Sequence, residues 1–132
     1  MTQNDEEYGV FPLRSFLDFT IKEESAGVAS AVLNIDERHL NPNGVMHGGV
    51  IFTLADTAMG KATMSILQEG QICASIEVSI RYLRAVTEGE LVATASVIKA
   101  GKSVVHLESQ IAVEGNQRLV AIVHGSFAVI NT

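Results

Sequence analysis

Two features of the sequence carry chemistry, and both fall within residues 41–67, NPNGVMHGGVIFTLADTAMGKATMSIL. The first is Gly48-Gly49, where a loop punctuated by proline and glycine empties into an apolar run of helical character. The first N–H groups of a helix lack internal partners, and the helix dipole adds partial positive charge there. Such a junction suits a carbonyl oxygen that is gathering negative charge. The same two glycines serve equally to let a loop turn tightly into a helix packed on a sheet. The second feature is Asp56, an acid inside the apolar run. Its helical neighbours three and four residues away are Phe52, Thr53, Met59 and Gly60, so no cation pairs with it along the helix. A buried carboxylate without a partner is costly, and desolvation raises its pKa toward the range of a working base. The alternative is a structural acid that caps a loop or pairs with Arg81 or Arg84 from a strand.

Eight residues separate Gly48 from Asp56, or ~12 Å along one helix. No aspartate side chain closes that gap. If Gly48 polarises a carbonyl and Asp56 attacks it, directly or through water, the two come from different chains. That predicts a composite site across a symmetric dimer. The remaining candidates are weaker. His39, His47, His106 and His124 lack the spacing of a metal site, and His47, just before the helix, is placed to orient the loop. Asn41 and Asn43 are turn formers, with Asn41 also able to donate a hydrogen bond into the site. Cys73 has no base beside it in sequence and reads as a small apolar residue at a strand start. The cations Arg81, Arg84, Lys99 and Lys102 fall near predicted turns, where they either meet a phosphorylated ligand or are simply solvated.

The elements that must position these groups follow from periodicity. Residues 1–14 read as an N-terminal tail, with 1–8 mobile, and residues 15–132 as one domain. Alternation predicts strands over 15–22 and 28–35, forming a hairpin, and a helical turn or polar connection over 36–40. A helix follows from Gly48 to about residue 68, stopped by Gly70. With apolar or small residues on nearly every face, it reads as a buried helix that strands must wrap. Four strands come after it, over 75–84, 90–99, 103–113 and 118–130. The first sets Ile76, Val78, Ile80 and Tyr82 against Ser75, Glu77, Ser79 and Arg81. The connectors Thr87-Glu88-Gly89, Ala100-Gly101-Lys102 and Glu114-Gly115-Asn116 are short enough to predict that these four form an antiparallel meander.

Composition bounds the function. Apolar residues make up 47% and charged ones 18%, more apolar surface than a monomer of 132 residues needs, which points to self-association. A net charge of −6 and the lack of any basic run argue against nucleic-acid binding. The single cysteine fits a reducing, cytoplasmic setting. The start MTQNDEEYG lacks the order of a signal peptide, and the longest apolar run, interrupted by Asp56 and Lys61, is not a membrane span.

Asn41-Pro-Asn-Gly-Val-Met-His47-Gly48-Gly49 followed by Leu54-Ala55-Asp56-Thr57-Ala58 closely resembles the signature of hotdog-fold acyl-CoA thioesterases, nearest to the phenylacetyl-CoA and 4-hydroxybenzoyl-CoA thioesterases. The likeness extends through residues 75–84 and the Lys99-Ala-Gly-Lys102 turn. It implies an α+β hotdog fold, an antiparallel sheet of about six strands around one long helix. It also implies hydrolysis of an acyl-CoA with no separate cofactor and no metal. By resemblance, Asp56 is the general base or nucleophile, Gly48 polarises the carbonyl from the other subunit, and Asn41 and His47 shape the site. Ser75 helps hold the attacking water, while Tyr82, Arg84, Lys99, Gly101 and Lys102 fall where coenzyme A is carried. Homodimers, usually paired into tetramers, are implied as well. The chain departs from the pattern at Ala85, which follows Arg84 where relatives commonly carry proline. Two rivals share these features: a hotdog dehydratase acting on 3-hydroxyacyl thioesters, and a non-catalytic acyl-CoA binding module.

Overall fold

Small side chains let one helix lie close against a single sheet. Residues 9–132 are described by the structure, a computed structural model. A short helix α1 (Pro12–Leu17) precedes strands β1 (Phe19–Ser25) and β2 (Val28–Asn34). A single 3-10 turn, Glu37–His39, leads to the long helix α2 (Gly48–Met64). Four strands complete the chain: β3 (Gln71–Tyr82), β4 (Glu90–Ala100), β5 (Val104–Val113) and β6 (Leu119–Asn131). All pair antiparallel in one sheet of order β1-β2-β4-β5-β6-β3. The α+β hotdog architecture expected from the sequence is what the chain adopts. Among the described residues, no helix is long and apolar enough to cross a membrane.

One face of α2, carrying Val50, Ile51, Leu54, Ala55, Ala58, Met59, Ala62 and Thr63, is buried. It packs on inward residues of alternating period: Ala29, Ala31 and Leu33 from β2, Leu91, Ala93 and Ala95 from β4, and Val105, Leu107 and Ile111 from β5. The opposite face, with Phe52, Thr53, Asp56, Thr57, Gly60, Lys61 and Met64, stays only half-buried. The helix is therefore covered on one side rather than wrapped all round, as its apolar composition had predicted.

Four local expectations are corrected. Residues 9–14 do not all belong to a tail, and 15–17 do not begin a strand; Met1–Tyr8 lie outside the described residues. Pro12, with its preset φ, starts α1, and Asp18 closes it in a left-handed conformation at φ 61°. Helix α2 stops at Met64 rather than near 68. Ser65 turns its hydroxyl to donate to the Ala62 carbonyl (2.7 Å) and accept from the Gly27 N–H (2.8 Å), which draws the helix end to the β1–β2 turn. Strand β3 does not join the meander of β4, β5 and β6. The whole of 83–89 is an extended connector, held by the Leu83 and Arg84 N–H groups on the Val120 carbonyl and by the Met46 N–H on the Val86 carbonyl. It carries the chain past β6 and β5, leaving β3 at the sheet edge beside β6. Finally, a register shift between Ser75 and Glu77 makes Ile76 an unpaired extra residue, 58% exposed, so the face of β3 changes parity there.

His39 is fully buried and joins three segments. Its Nδ1 accepts from the Asp36 N–H (3.0 Å), which makes Nε2 the donor to the Leu17 carbonyl (2.7 Å). Its own carbonyl receives the His47 N–H (2.8 Å), so it holds the loop that precedes α2. Replacing it with phenylalanine strands two polar groups. His39→Phe is expected to lower stability by ~2 kcal/mol, read as a lower urea midpoint at unchanged slope.

Candidate active site

The loop of residues 41–47 is folded by its own side chains. Asn41 Oδ1 accepts from the N–H groups of Asn43 (2.8 Å) and Val45 (3.3 Å), so its side-chain oxygen is spent inside the turn. His47 is the N-cap of α2, and its Nδ1 accepts from the Gly49 N–H (2.8 Å). With Gly49 occupied, the Gly48 N–H is left without a hydrogen-bond partner among the described residues. Tyr82 at the end of β3 donates its hydroxyl to the Gly48 carbonyl (2.7 Å). A Cβ on Gly48 would sit 3.0 Å from the Tyr82 ring, which is why that position is glycine. Gly48, Met46, Ile51, Tyr82 and Arg84 line an open cavity of about 370 Å³.

Two turns further along α2, Asp56 opens into a different cavity of about 390 Å³. Thr57, Gly60 and Lys61 of the same helix face line it, with Cys73, Ala74 and Ser75 from β3 and Phe11, Ile21 and Phe127 around its apolar side. Asp56 Oδ1 is buried without a hydrogen-bond partner among the described residues, and neither Arg81 nor Arg84 pairs with it. Desolvation raises its pKa above the ordinary carboxylate value. Beside it, burial and then the Asp56 charge push the Cys73 thiol up to about 11. Cys73 is thus a neutral thiol at physiological pH, donating weakly to the Gly60 carbonyl (3.8 Å), and not a nucleophile.

The structure brings Asp56 and Ser75 together and keeps Gly48, His47 and Asn41 apart from them, at the other end of the helix. Ser75 reaches the Asp56 cavity because the bulge at Ile76 follows it. Before the bulge Cys73 and Ser75 face α2; after it Val78, Ile80 and Tyr82 do. Strict alternation had put Ser75 on the far face, and no pattern in the sequence signals the extra residue. Tyr82 and Arg84 lie with Gly48. The turn of Lys99, Gly101 and Lys102 lines neither cavity and sits at the Asp56 end, since Ser103 next to it accepts from Val129, the register partner of Cys73. Phe11, assigned to a tail by sequence, packs edge-to-face on Phe19 at 6.3 Å and walls the Asp56 cavity. Its membership was legible only as an aromatic next to Pro12. Among the described residues, no three His, Cys, Asp or Glu side chains group as a metal site.

The model of the thioesterase superfamily matches residues 43–120, which contain both cavities' helix. A protein of Archaeoglobus fulgidus named "Putative esterase" is 36% identical over 120 residues, covering 90% of this chain and 75% of that protein. Acyl-coenzyme A thioesterase 13 of Pongo abelii is 29% identical over 105 residues, 77% of this chain and 73% of that one. The crystal structure of a Haemophilus influenzae thioesterase superposes with a TM-score of 0.85 at 29% identity, covering 90% of this chain and 82% of that one.

The raised pKa of Asp56 has a consequence for stability with a definite sign. Because its folded-state pKa lies above the unfolded one, the ionised carboxylate destabilises the fold at neutral pH. That penalty fades as pH falls toward the unfolded value of ~3.9. Asp56→Asn is expected to unfold at higher urea than wild type at pH 7, with the gap narrowing as pH is lowered toward 4. Urea midpoints across that range check it; a gap that widens in acid contradicts the assignment.

Proposed function

The chain belongs to the thioesterase superfamily, and on that premise we propose that it hydrolyses an acyl-CoA thioester, in a site completed by a second copy of itself. The observation that carries the second half is the position of β3. It is an edge strand, and the two halves of the machinery lie at its two ends: Asp56 beside Cys73 and Ser75, Gly48 beside Tyr82. Cys73 and Tyr82 are ~30 Å apart along the strand, and Gly48 and Asp56 ~12 Å apart along α2. Antiparallel pairing of two such edges about a two-fold axis sets the start of one β3 against the end of the other. Asp56 of one chain then faces Gly48 of its partner. The half-buried outer face of α2 becomes covered in the same step.

In that arrangement the partner's Gly48 N–H, at the positive end of α2, donates to the thioester oxygen as charge develops on it. A donor of this kind contributes ~3 kcal/mol. Asp56, made more basic by burial, takes a proton from water, whose oxygen attacks the carbonyl carbon. Collapse of the adduct breaks the C–S bond, and the departing thiolate takes up a proton to leave as coenzyme A. Direct attack by Asp56, through an anhydride then cleaved by water, uses the same two groups. Ser75 at the cavity wall holds the water, and His47 and Asn41 keep the Gly48 loop in shape. The coenzyme A contacts obey the same geometry: Tyr82 and Arg84 from one chain and Lys99, Gly101 and Lys102 from the other converge only across the pairing. The acyl group is aryl or of medium chain length.

The test is thiol release from aryl- and alkyl-CoA substrates. Asp56→Ala is expected to lose at least ~100-fold in kcat/KM while remaining folded. Gly48→Val, which drives Tyr82 from the helix start, is expected to be inactive too. Mixed and refolded together, the two inactive variants should recover roughly a quarter of wild-type activity, because each mixed dimer holds one intact site. A mixture as inert as its parts contradicts the shared site. Wild type that binds acyl-CoA without releasing thiol favours the binding module, and an enoyl product from 3-hydroxyacyl-CoA favours the dehydratase.

A further inference from the structure

Gly60 stands in the middle of α2, where glycine is less favourable than alanine because it adds backbone entropy to the unfolded chain. Nine of the other ten glycines have a steric reason to be glycine, Gly9 meeting only the movable end of Arg14. Each of the nine holds a positive φ or would bring a Cβ to 3.0 Å or closer to a neighbouring atom. Gly60 has neither. A Cβ there meets only Phe127 Cε2, at 3.8 Å, which is ordinary contact. Packing within the chain therefore accepts a side chain at this position. What a side chain would occupy is the cavity that Gly60 lines one helical turn beyond Asp56, on the side bounded by Phe11, Cys73 and Phe127.

We propose that Gly60 sets the size of the acyl pocket, its missing side chain making room for a bulky apolar acyl group next to Asp56. This rests on the hydrolase reading above and adds to it the class of acyl group: an aromatic or branched group that needs width between α2 and Phe127, in preference to a two- or three-carbon chain. The walls are suited to it, because Phe11 and Phe127 offer ring faces and edges and the Cys73 thiol is neutral. Asp56 and Thr57 form the polar end of the same cavity, one turn nearer the helix start.

The experiment compares wild type, Gly60→Ala and Gly60→Leu for kcat/KM on acetyl-CoA and on benzoyl- and phenylacetyl-CoA, with thermal unfolding and sedimentation alongside. Gly60→Ala is expected to raise Tm by about 3 °C, since alanine fits both helix and site. Gly60→Leu is expected to shift the acetyl-to-aryl preference at least ~10-fold toward acetyl. If Gly60→Ala lowers Tm, or either variant dissociates to monomers, the glycine answers to packing and the proposal is overturned. Unchanged acyl preference in both variants overturns it as well while leaving the hydrolase reading intact. A wild type that hydrolyses none of the three overturns this inference, and the hydrolase reading falls with it when octanoyl-CoA is not hydrolysed either.

Discussion

Alanine meets alanine where α2 crosses the sheet. Ala55, Ala58 and Ala62 from the helix face Ala29, Ala31, Ala93 and Ala95 from the central strands, and all are fully buried. Side chains this small set how near the helix axis can come to the sheet, and everything that reaches over the helix is scaled to that separation. Gly125 repeats the constraint on β6: a Cβ there would press Met59 at 3.0 Å. Enlarging any of these residues lifts the helix and with it both Asp56 and the Gly48 amide. Overpacking of a tight contact typically costs about 1–3 kcal/mol. The placement of Asp56 and Gly48 and the core are thus one packing problem.

The same helix also holds its amide end and its acid apart within one chain. Gly48, at its amide end, and Asp56 line separate cavities. Burial raises the pKa of Asp56, which lines its own cavity. The cap of His47 on Gly49 spends one helix-end amide, and the preceding one, on Gly48, has no partner among the described residues. Each group is arranged by local contacts of its own.

Much of the fold was legible. The parity of β2, the start of α2 at Gly48 and the separation of Gly48 from Asp56 along the helix all followed from spacing, because apolar period and helical rise are properties of short windows. Long-range choices were not legible. Nothing within Leu83-Arg84-Ala85-Val86 says that it will bond to Val120 and leave β3 at the edge, since that partner lies far along the chain. The bulge at Ile76 is likewise imposed by pairing with Phe127 and Ser126, and it decides that Ser75 rather than Ile76 faces Asp56. Phe11 was missed for a related reason: an aromatic close to an acidic, polar start shows its value only through Phe19 and the cavity it closes.

The crossover from β3 to β4 also sets an order of events in time. A chain made from its N-terminus completes β3 (Gln71–Tyr82) well before β6 (Leu119–Asn131), yet among the described residues β6 is the only strand that β3 pairs with. Until then the nascent protein holds a long strand with two open edges, the kind of segment that seeks partners indiscriminately. Sequence-distant pairing of this sort is also slow to form. Seating the last strand reduces two open edges to one. The C-terminal strand therefore acts as a latch on the sheet: a nascent chain that stops short of Leu119 keeps both edges of β3 open.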